Sequence, residues 1–122
     1  MTTITLPWPP SVNTYWRHPS KGALAGRHLI SEKGRAYRAS VQAECLLSRV
    51  QKREGRLQVV ITACPPDRRQ RDLDNLLKGL LDALTHGGAW QDDSQIDDLR
   101  IIRGPVKAGG LVQIEIGEHP CA

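Results

Sequence analysis

The alternation of apolar and polar residues changes period several times along the chain, and each change marks an element. Thr3 to Leu6 alternates and then meets Pro7-Trp8-Pro9-Pro10. This predicts a short strand leading into a stiff extended segment, because proline fixes φ and has no N–H to donate. Ser11 to Ile30 shows no period and carries Gly, Pro, Asn, Arg and His. It reads as a long loop, of a length that is uncommon in small domains and often functional. Ser31 is placed to cap a helix running to about Lys52, since its hydroxyl can accept from a free N–H of the first turn. On that helix Ala36, Ala39, Ala43, Leu46, Leu47 and Val50 fall within about 100° of one face, and Tyr37, Val41 and Cys45 form a second patch. Two apolar sides call for two partners, its own core and a second subunit.

Leu57 to Cys64 is rich in Val, Ile and Thr and reads as a central strand ended by Pro65-Pro66. A second helix is expected from about Asp74 to Thr85. Leu73, Leu76, Leu77, Leu80, Leu81 and Leu84 lie within about 140° of arc there, and Gly87-Gly88 stops it. Ile96 to Ile102 is the third strand and Leu111 to Ile116 the fourth, joined through Lys107-Ala108-Gly109-Gly110. The order β-α-β-α-β-β belongs to the α/β (α+β) class. With no repeat and no linker, residues 1–122 read as one domain.

Composition narrows the class. A chain of 122 residues buries roughly two-thirds of its unfolded surface, enough for a core without disulfides or a structural metal. Hydrophobic content of 39% and charged content of 25% exclude wholesale disorder and collagen-like repeats. No stretch approaches the ~20 apolar residues of a membrane span. Met1 to Pro10 lacks the basic-then-apolar layout of a signal peptide, so a cytoplasmic protein is expected. Cys45, Cys64 and Cys121 are odd in number and widely spaced. They read as reduced buried or terminal thiols, Cys64 in the core.

Net charge is +4, but it is unevenly divided. Met1 to Arg71 holds 13 basic and 4 acidic residues, whereas Asp72 to Asp98 holds 7 acidic residues and only Lys78. A basic surface suggests a polyanion partner. The acidic segment beside it would repel phosphate, unless a divalent cation bridged carboxylates and phosphate. A solvated acidic helix face is the plainer alternative.

The densest polar stretch, Asp67-Arg68-Arg69-Gln70-Arg71-Asp72-Leu73-Asp74-Asn75, falls where a strand gives way to a helix. In an extended turn, side chains two apart share a face. Asp72 and an N-cap Asp74 would then converge, kept ionised by the helix N-terminus. Mg²⁺ would relieve their repulsion. The competing reading makes Asp74 simply a cap, and at this point both stand. Lys78 sits four residues after Asp74, either in an i,i+4 ion pair or as a cation facing phosphoryl charge. Asp92-Asp93 follows the second helix, and a crossover back to the sheet could return it to the strand end near Asp72. Asp97-Asp98 reads as solvated strand-edge charge. A calcium loop would need a Gly and a Glu at fixed later positions, and Leu77 and Leu80 fill that region instead. The four dispersed histidines give little support to zinc.

These residues resemble the RusA-like Holliday junction resolvases, small homodimeric endodeoxyribonucleases of bacteria and their prophages. The similarity covers nearly the whole chain. It runs through Leu6-Pro7-Trp8-Pro9-Pro10-Ser11 with Asn13, then Pro66 to Asn75 with Lys78, Asp82-Ala83-Leu84-Thr85, and Trp90-Gln91-Asp92-Asp93. The resemblance implies a small four-stranded mixed sheet with two main helices in a homodimer. It implies Asp72, Asp74 and Asp93 as a metal-binding, catalytic triad, Lys78 as the essential basic residue, and Asp92 as a neighbour. Arg69 and Arg71 would contact DNA, and the basic residues Arg17, Lys21, Arg27 and Lys107 extend that expected surface. Gln70 interrupts a run that is more continuously basic in the family, and the 17–28 loop is this chain's own variant.

The expected function is therefore Mg²⁺-dependent hydrolysis of DNA at four-way junctions, with Mn²⁺ as a substitute ion, by paired symmetric cuts leaving 5′-phosphate and 3′-hydroxyl ends. A C2 dimer would supply the two sites, in a cytoplasmic protein encoded by a bacterium or prophage and without a membrane partner. Two other classes are weighed beside it: a non-catalytic protein that binds branched DNA, and a metal-dependent phosphoesterase acting on other DNA structures.

Overall fold

The computed structural model describes residues 1–120. Its elements follow the expected order, with β1 at Thr2–Pro7, α2 at Glu32–Leu47, β4 at Leu57–Cys64, α3 at Asp74–Gly87, β5 at Ile96–Arg103 and β6 at Leu111–Glu118. The sheet order is β1-β6-β4-β5. β6 lies antiparallel to both β1 and β4, while β4 and β5 are parallel. The sheet is thus mixed, as expected. Its parallel pair exists because α3 carries the chain back between β4 and β5, a crossover that a parallel pair requires.

Alternation decides which face is covered. Val59, Ile61 and Ala63 of β4 and Val112, Ile114 and Ile116 of β6 are buried beneath the helices, with Leu76, Leu80, Ala83 and Leu84 of α3. The leucine stripe read from the sequence is this face. Trp90, fully buried, closes the core after α3 and donates its indole N–H to Thr85 Oγ1 at 2.7 Å.

Three expectations change. The 11–30 segment contains a short helix α1 at Val12–Tyr15 and a two-stranded ribbon, β2 at Trp16–Arg17 with β3 at Leu29–Ile30. Ser31 ties this segment down: it caps α2 by accepting from the Gly34 N–H at 3.0 Å and donates to the carbonyls of Thr14 and Tyr15 at 2.5 and 2.9 Å. These two carbonyl contacts bridge 17 and 16 residues of chain and have no local sequence signal. Second, α2 stops at Leu47 rather than near Lys52, where Ser48 caps it and Arg49 turns to φ 54°. Third, the smaller patch of α2, with Tyr37, Val41 and Cys45, faces the core. The larger one is open: Ala36, Ala39 and Ala43 are exposed, and Leu46 and Leu47 are 74% and 78% exposed.

Tyr15 is the hinge between the extra segment and the helices. It is fully buried, and a Cβ on Gly79 of α3 would lie 2.8 Å from its ring, so only glycine permits this approach. Cys45 and Cys64 are free and buried, in agreement with the sequence; Cys121 lies outside the described residues.

Candidate active site

Strand order determines what can meet what. The C-terminal ends of β1, β4 and β5 and the start of β6 share one end of the sheet, and α3 begins there. The loop 65–73 is built on that end. Asp67 organises it, accepting from the Arg69 backbone N–H at 2.9 Å and from Arg71 Nη1 at 2.8 Å. Those contacts hold its carboxyl down at about 2, with the Arg71 bond the larger cause and the Arg69 N–H next. Arg71 also donates to the carbonyls of Asp67 and Arg69, both at 3.3 Å, and its guanidinium lies 5.9 Å from the Trp8 ring centroid. Arg103 reaches across from β5 to the Arg71 carbonyl at 2.9 Å. Arg71 is therefore largely a structural cation of the loop, whereas the Arg69 side chain is 84% exposed.

Asp72 and Asp74 are both exposed on this loop and the first turn of α3. Among the described residues neither carboxylate has a hydrogen bond or ion pair, which leaves four oxygens open to a hard cation. Their expected arrangement is corrected in one respect. Leu73, not Asp74, occupies the N-cap position, and its φ −62° and ψ −35° are helical. The segment is not extended, so alternation does not set the two side chains on one face. Asp74 is the first helical residue and provides no side-chain cap.

Lys78 makes no ion pair with Asp74 among the described residues. Its Nζ lies instead 5.5 Å from the centroid of the Trp16 ring, where the π-face attracts the cation. Trp16 is held in turn by an edge contact with Tyr15, centroids 5.0 Å apart. Beneath them, Asp82 of α3 accepts from the Tyr15 hydroxyl and from Arg38 Nε at 2.8 Å. Burial, then the Asp82 bond, pushes the Tyr15 hydroxyl well above its usual pKa, so it stays a donor. Sequence reading gave Tyr15, Trp16, Arg38 and Asp82 no role. The signals were confined to Asp82, which is polar, off the leucine stripe and part of the Asp82-Ala83-Leu84-Thr85 motif.

Asp93 is elsewhere. β5 runs parallel to β4 with Ile96 paired to Leu57, so the turn before β5 lies at the opposite end of the sheet from Asp72. The expectation that the crossover returns Asp93 to the Asp72 end is overturned, because the helix of a parallel crossover carries the chain the whole length of the strands. Asp93 begins a single 3₁₀ turn, Asp93–Gln95, anchored by Gln95 Nε2 to the Arg53 and Gly55 carbonyls, both at 3.0 Å. Its carboxyl is pushed up by burial first, then by Asp92 and Asp82. Asp92 is held down, chiefly by the Ser94 hydroxyl, which donates to it at 2.6 Å. Accordingly, among the described residues no three His, Cys, Asp or Glu side chains gather closely enough to hold a metal ion.

Of the expected basic surface, Lys107 is exposed at the site end, where its N–H bonds the Pro65 carbonyl at 2.9 Å. Arg17 follows Trp16 and is exposed; Lys21 and Arg27 are exposed in the loop between β2 and β3. Asp97 is not merely solvated, for it pairs with Arg56 at 2.5 Å.

Residues 7–117 match the model of the endodeoxyribonuclease RusA family. The chain belongs to that family. Among its relatives, the crossover junction endodeoxyribonuclease rusA of Enterobacteria phage HK97 is 46% identical over 116 residues, covering 94% of this chain and 92% of the relative. The crossover junction endodeoxyribonucleases RusA of Shigella sonnei (strain Ss046) and Escherichia coli (strain K12) are 43% and 42% identical over 119 residues, covering 95% of this chain and 93% of each relative. The matched span takes in every RusA-like motif quoted from the sequence except Leu6, from Pro7 through Asp93. No helix of the described residues is long and apolar enough to cross a membrane.

Proposed function

We propose that this RusA-family chain is a structure-specific endodeoxyribonuclease that resolves four-way DNA junctions by paired cuts. The observation that carries the reading is the unpaired Asp72 and Asp74 carboxylates, with the exposed cation Lys78 one helical turn after Asp74, on a scaffold that matches crossover junction endodeoxyribonucleases over nearly its whole length.

Two exposed carboxylates without protein partners are a hard-oxygen donor set, and Mg²⁺ is commonly held by one or two carboxylates with waters and a phosphate. Asp72 and Asp74 fit it, with Mn²⁺ as an alternative. When bound, such an ion supplies Lewis-acid polarisation of the phosphoryl group and a nucleophilic water at neutral pH. Lys78 would offset the negative charge that grows on the phosphoryl oxygens. Trp16 restricts the Lys78 chain without neutralising it. Arg69, Arg17, Lys21, Arg27 and Lys107 grip the backbone of the arms, contacts that position rather than read sequence.

Asp93 joins this set only from a second copy. In a homodimer with its two-fold axis crossing the middle of α3, the start of α3 in one chain meets the end of α3 in the other. Each Asp72–Asp74 pair then gains Asp93 of the other copy, and two sites arise together. Half-buried Leu77 and Leu81 and the 40%-exposed Leu99 on edge strand β5 supply apolar surface for such a contact. Acting on bacterial or prophage DNA, such an enzyme would work in the cytoplasm.

Incubation of the protein with a synthetic four-way junction, with and without Mg²⁺, tests the reading. Asp74→Asn should abolish cleavage while leaving junction binding intact or stronger, since one charge that repels phosphate is gone. Full activity of that variant in Mg²⁺ would refute the site; binding without nicking at any junction sequence would favour a non-catalytic branched-DNA binder.

A further inference from the structure

The loop 65–73 encloses more than a pair of carboxylates. Between it, the Trp8 segment and the first turn of α3 lies a pocket of about 460 Å³, within the range of small-ligand sites. Trp8 forms one wall, packed so closely on Gly110 that a Cβ there would come within 2.9 Å of it. The nearly buried Leu76 contributes apolar surface, and the amides of Gln70 and Asn75 line the polar side. Among the described residues neither amide has a hydrogen-bond partner. Asp72 belongs to the same lining, so whatever occupies the pocket lies beside the proposed metal ligands.

The lining selects a ligand. An indole face and a leucine favour a flat apolar body, and two free amides favour an edge carrying both a donor and an acceptor. A phosphate is disfavoured: Asp72 repels it, and Arg71 is already engaged with Asp67, two carbonyls and Trp8. A neutral, planar, hydrogen-bonding group fits best. The geometry points to a base-reading pocket, in which an unstacked nucleobase from the branch point lies against Trp8 and is recognised by Gln70 and Asn75. An amide matches an exocyclic amine beside a ring nitrogen, the edge pattern of adenine and of cytosine. Unstacking is cheapest for a base whose pairing is already strained, as at a branch, and stacking on an aromatic side chain offsets the remaining cost. The pocket thus couples junction geometry to sequence choice: continuous duplex offers no base to it. Gln70, the residue that interrupts the basic run, becomes a specificity determinant rather than a gap in a DNA-binding stripe.

This inference rests on the nuclease reading for its biological use but is testable apart from it. A four-way junction carrying 5-iododeoxycytidine at successive branch-flanking positions is irradiated with the protein in Ca²⁺, and adducts are mapped by mass spectrometry. The expected result is an adduct on Trp8 from one branch position, absent with the same strand in continuous duplex and lost in Trp8→Leu. Because Trp8 also packs on Gly110, the second arm uses Gln70→Ala, an exposed loop side chain, on junctions randomised at the branch in Mg²⁺. Discrimination among bases at one position should fall on the order of tenfold, through weaker binding or slower cutting of the preferred junction. Missing Trp8 adducts, equal adducts in duplex, or an unchanged base preference in Gln70→Ala would each overturn the pocket. Absence of any cleavage with the Trp8 adduct present would refute the nuclease reading and support the pocket.

Discussion

The position of Asp93 makes a quantitative prediction about the sharing of sites between two copies. α3 has 14 residues and at ~1.5 Å per residue spans about 20 Å. Asp74 opens it, while Asp93 follows its far end and feels the charge of Asp82, two turns beyond Asp74. Carboxylates sharing one Mg²⁺ must bring oxygens to about 2.1 Å from the ion, hence within roughly 4 Å of each other. Neither side-chain reach nor local adjustment closes that gap within one chain. If the three aspartates act together, Asp74→Asn and Asp93→Asn must complement each other in a mixed dimer. One of its sites would carry both substitutions and the other none. Co-expression at equal levels gives mixed dimers as about half of the total, so about one quarter of wild-type sites are intact, in dimers that each hold a single competent site. The assay uses a junction labelled on each strand, read on denaturing and native gels, with doubly tagged dimers purified to confirm exchange. Each variant alone should be inactive. The mixture should nick single strands at about a quarter of the wild-type rate and yield few resolved duplexes. Purified mixed dimers without nicking would show that each site lies within one chain, and the proposed two-copy site would fall.

Other perturbations probe the supports of the site. Trp16→Leu removes the ring face beneath Lys78, an interaction worth ~0.5–1 kcal/mol at an exposed site; single-turnover cleavage should slow about two- to fivefold with unchanged junction affinity, and Trp16→Phe should restore most of the rate. Gly79→Ala forces a Cβ to within 2.8 Å of the Tyr15 ring and should destabilise by about 1–3 kcal/mol in urea melts, despite alanine's better helix propensity. Asp67 has its folded pKa lowered to about 2, so its stabilising contacts are complete above its unfolded pKa and lost as pH falls through the folded value. Asp67→Asn should therefore melt lower than wild type above about pH 4, and the two curves should converge as pH approaches 2; a constant difference down to pH 2 would contradict the Arg71 pairing.

Much of this protein is legible in local pattern. Two-residue alternation along β4 and β6 and the leucine stripe of α3 depend only on which side chains prefer to leave water, so the core face of the sheet and the long helices could be read directly. Ser31 as a cap and Asp72, Asp74 and Lys78 as neighbours in chain were equally accessible, since a few residues of separation bound their positions. The motifs that place the chain among the RusA-like proteins are of the same kind.

What the sequence could not supply was anything depending on strand direction or on contacts between distant segments. Whether Asp93 joins Asp72 turns on the parallel pairing of β4 with β5, which puts the start of β5 at the far end of α3. The period of a strand carries no information about which way its neighbour runs. Likewise Trp16 meets Lys78, Tyr15 meets Asp82, and Trp8 with Gln70 and Asn75 encloses a pocket, only after segments some sixty residues apart are brought together. Sequence alone thus determined the four long strands, the two long helices, the buried leucine face of α3 and the kinds of charge this protein carries. Tertiary structure decided which of those charges share an end of the molecule, because long-range proximity is set by topology and side-chain packing rather than by periodicity.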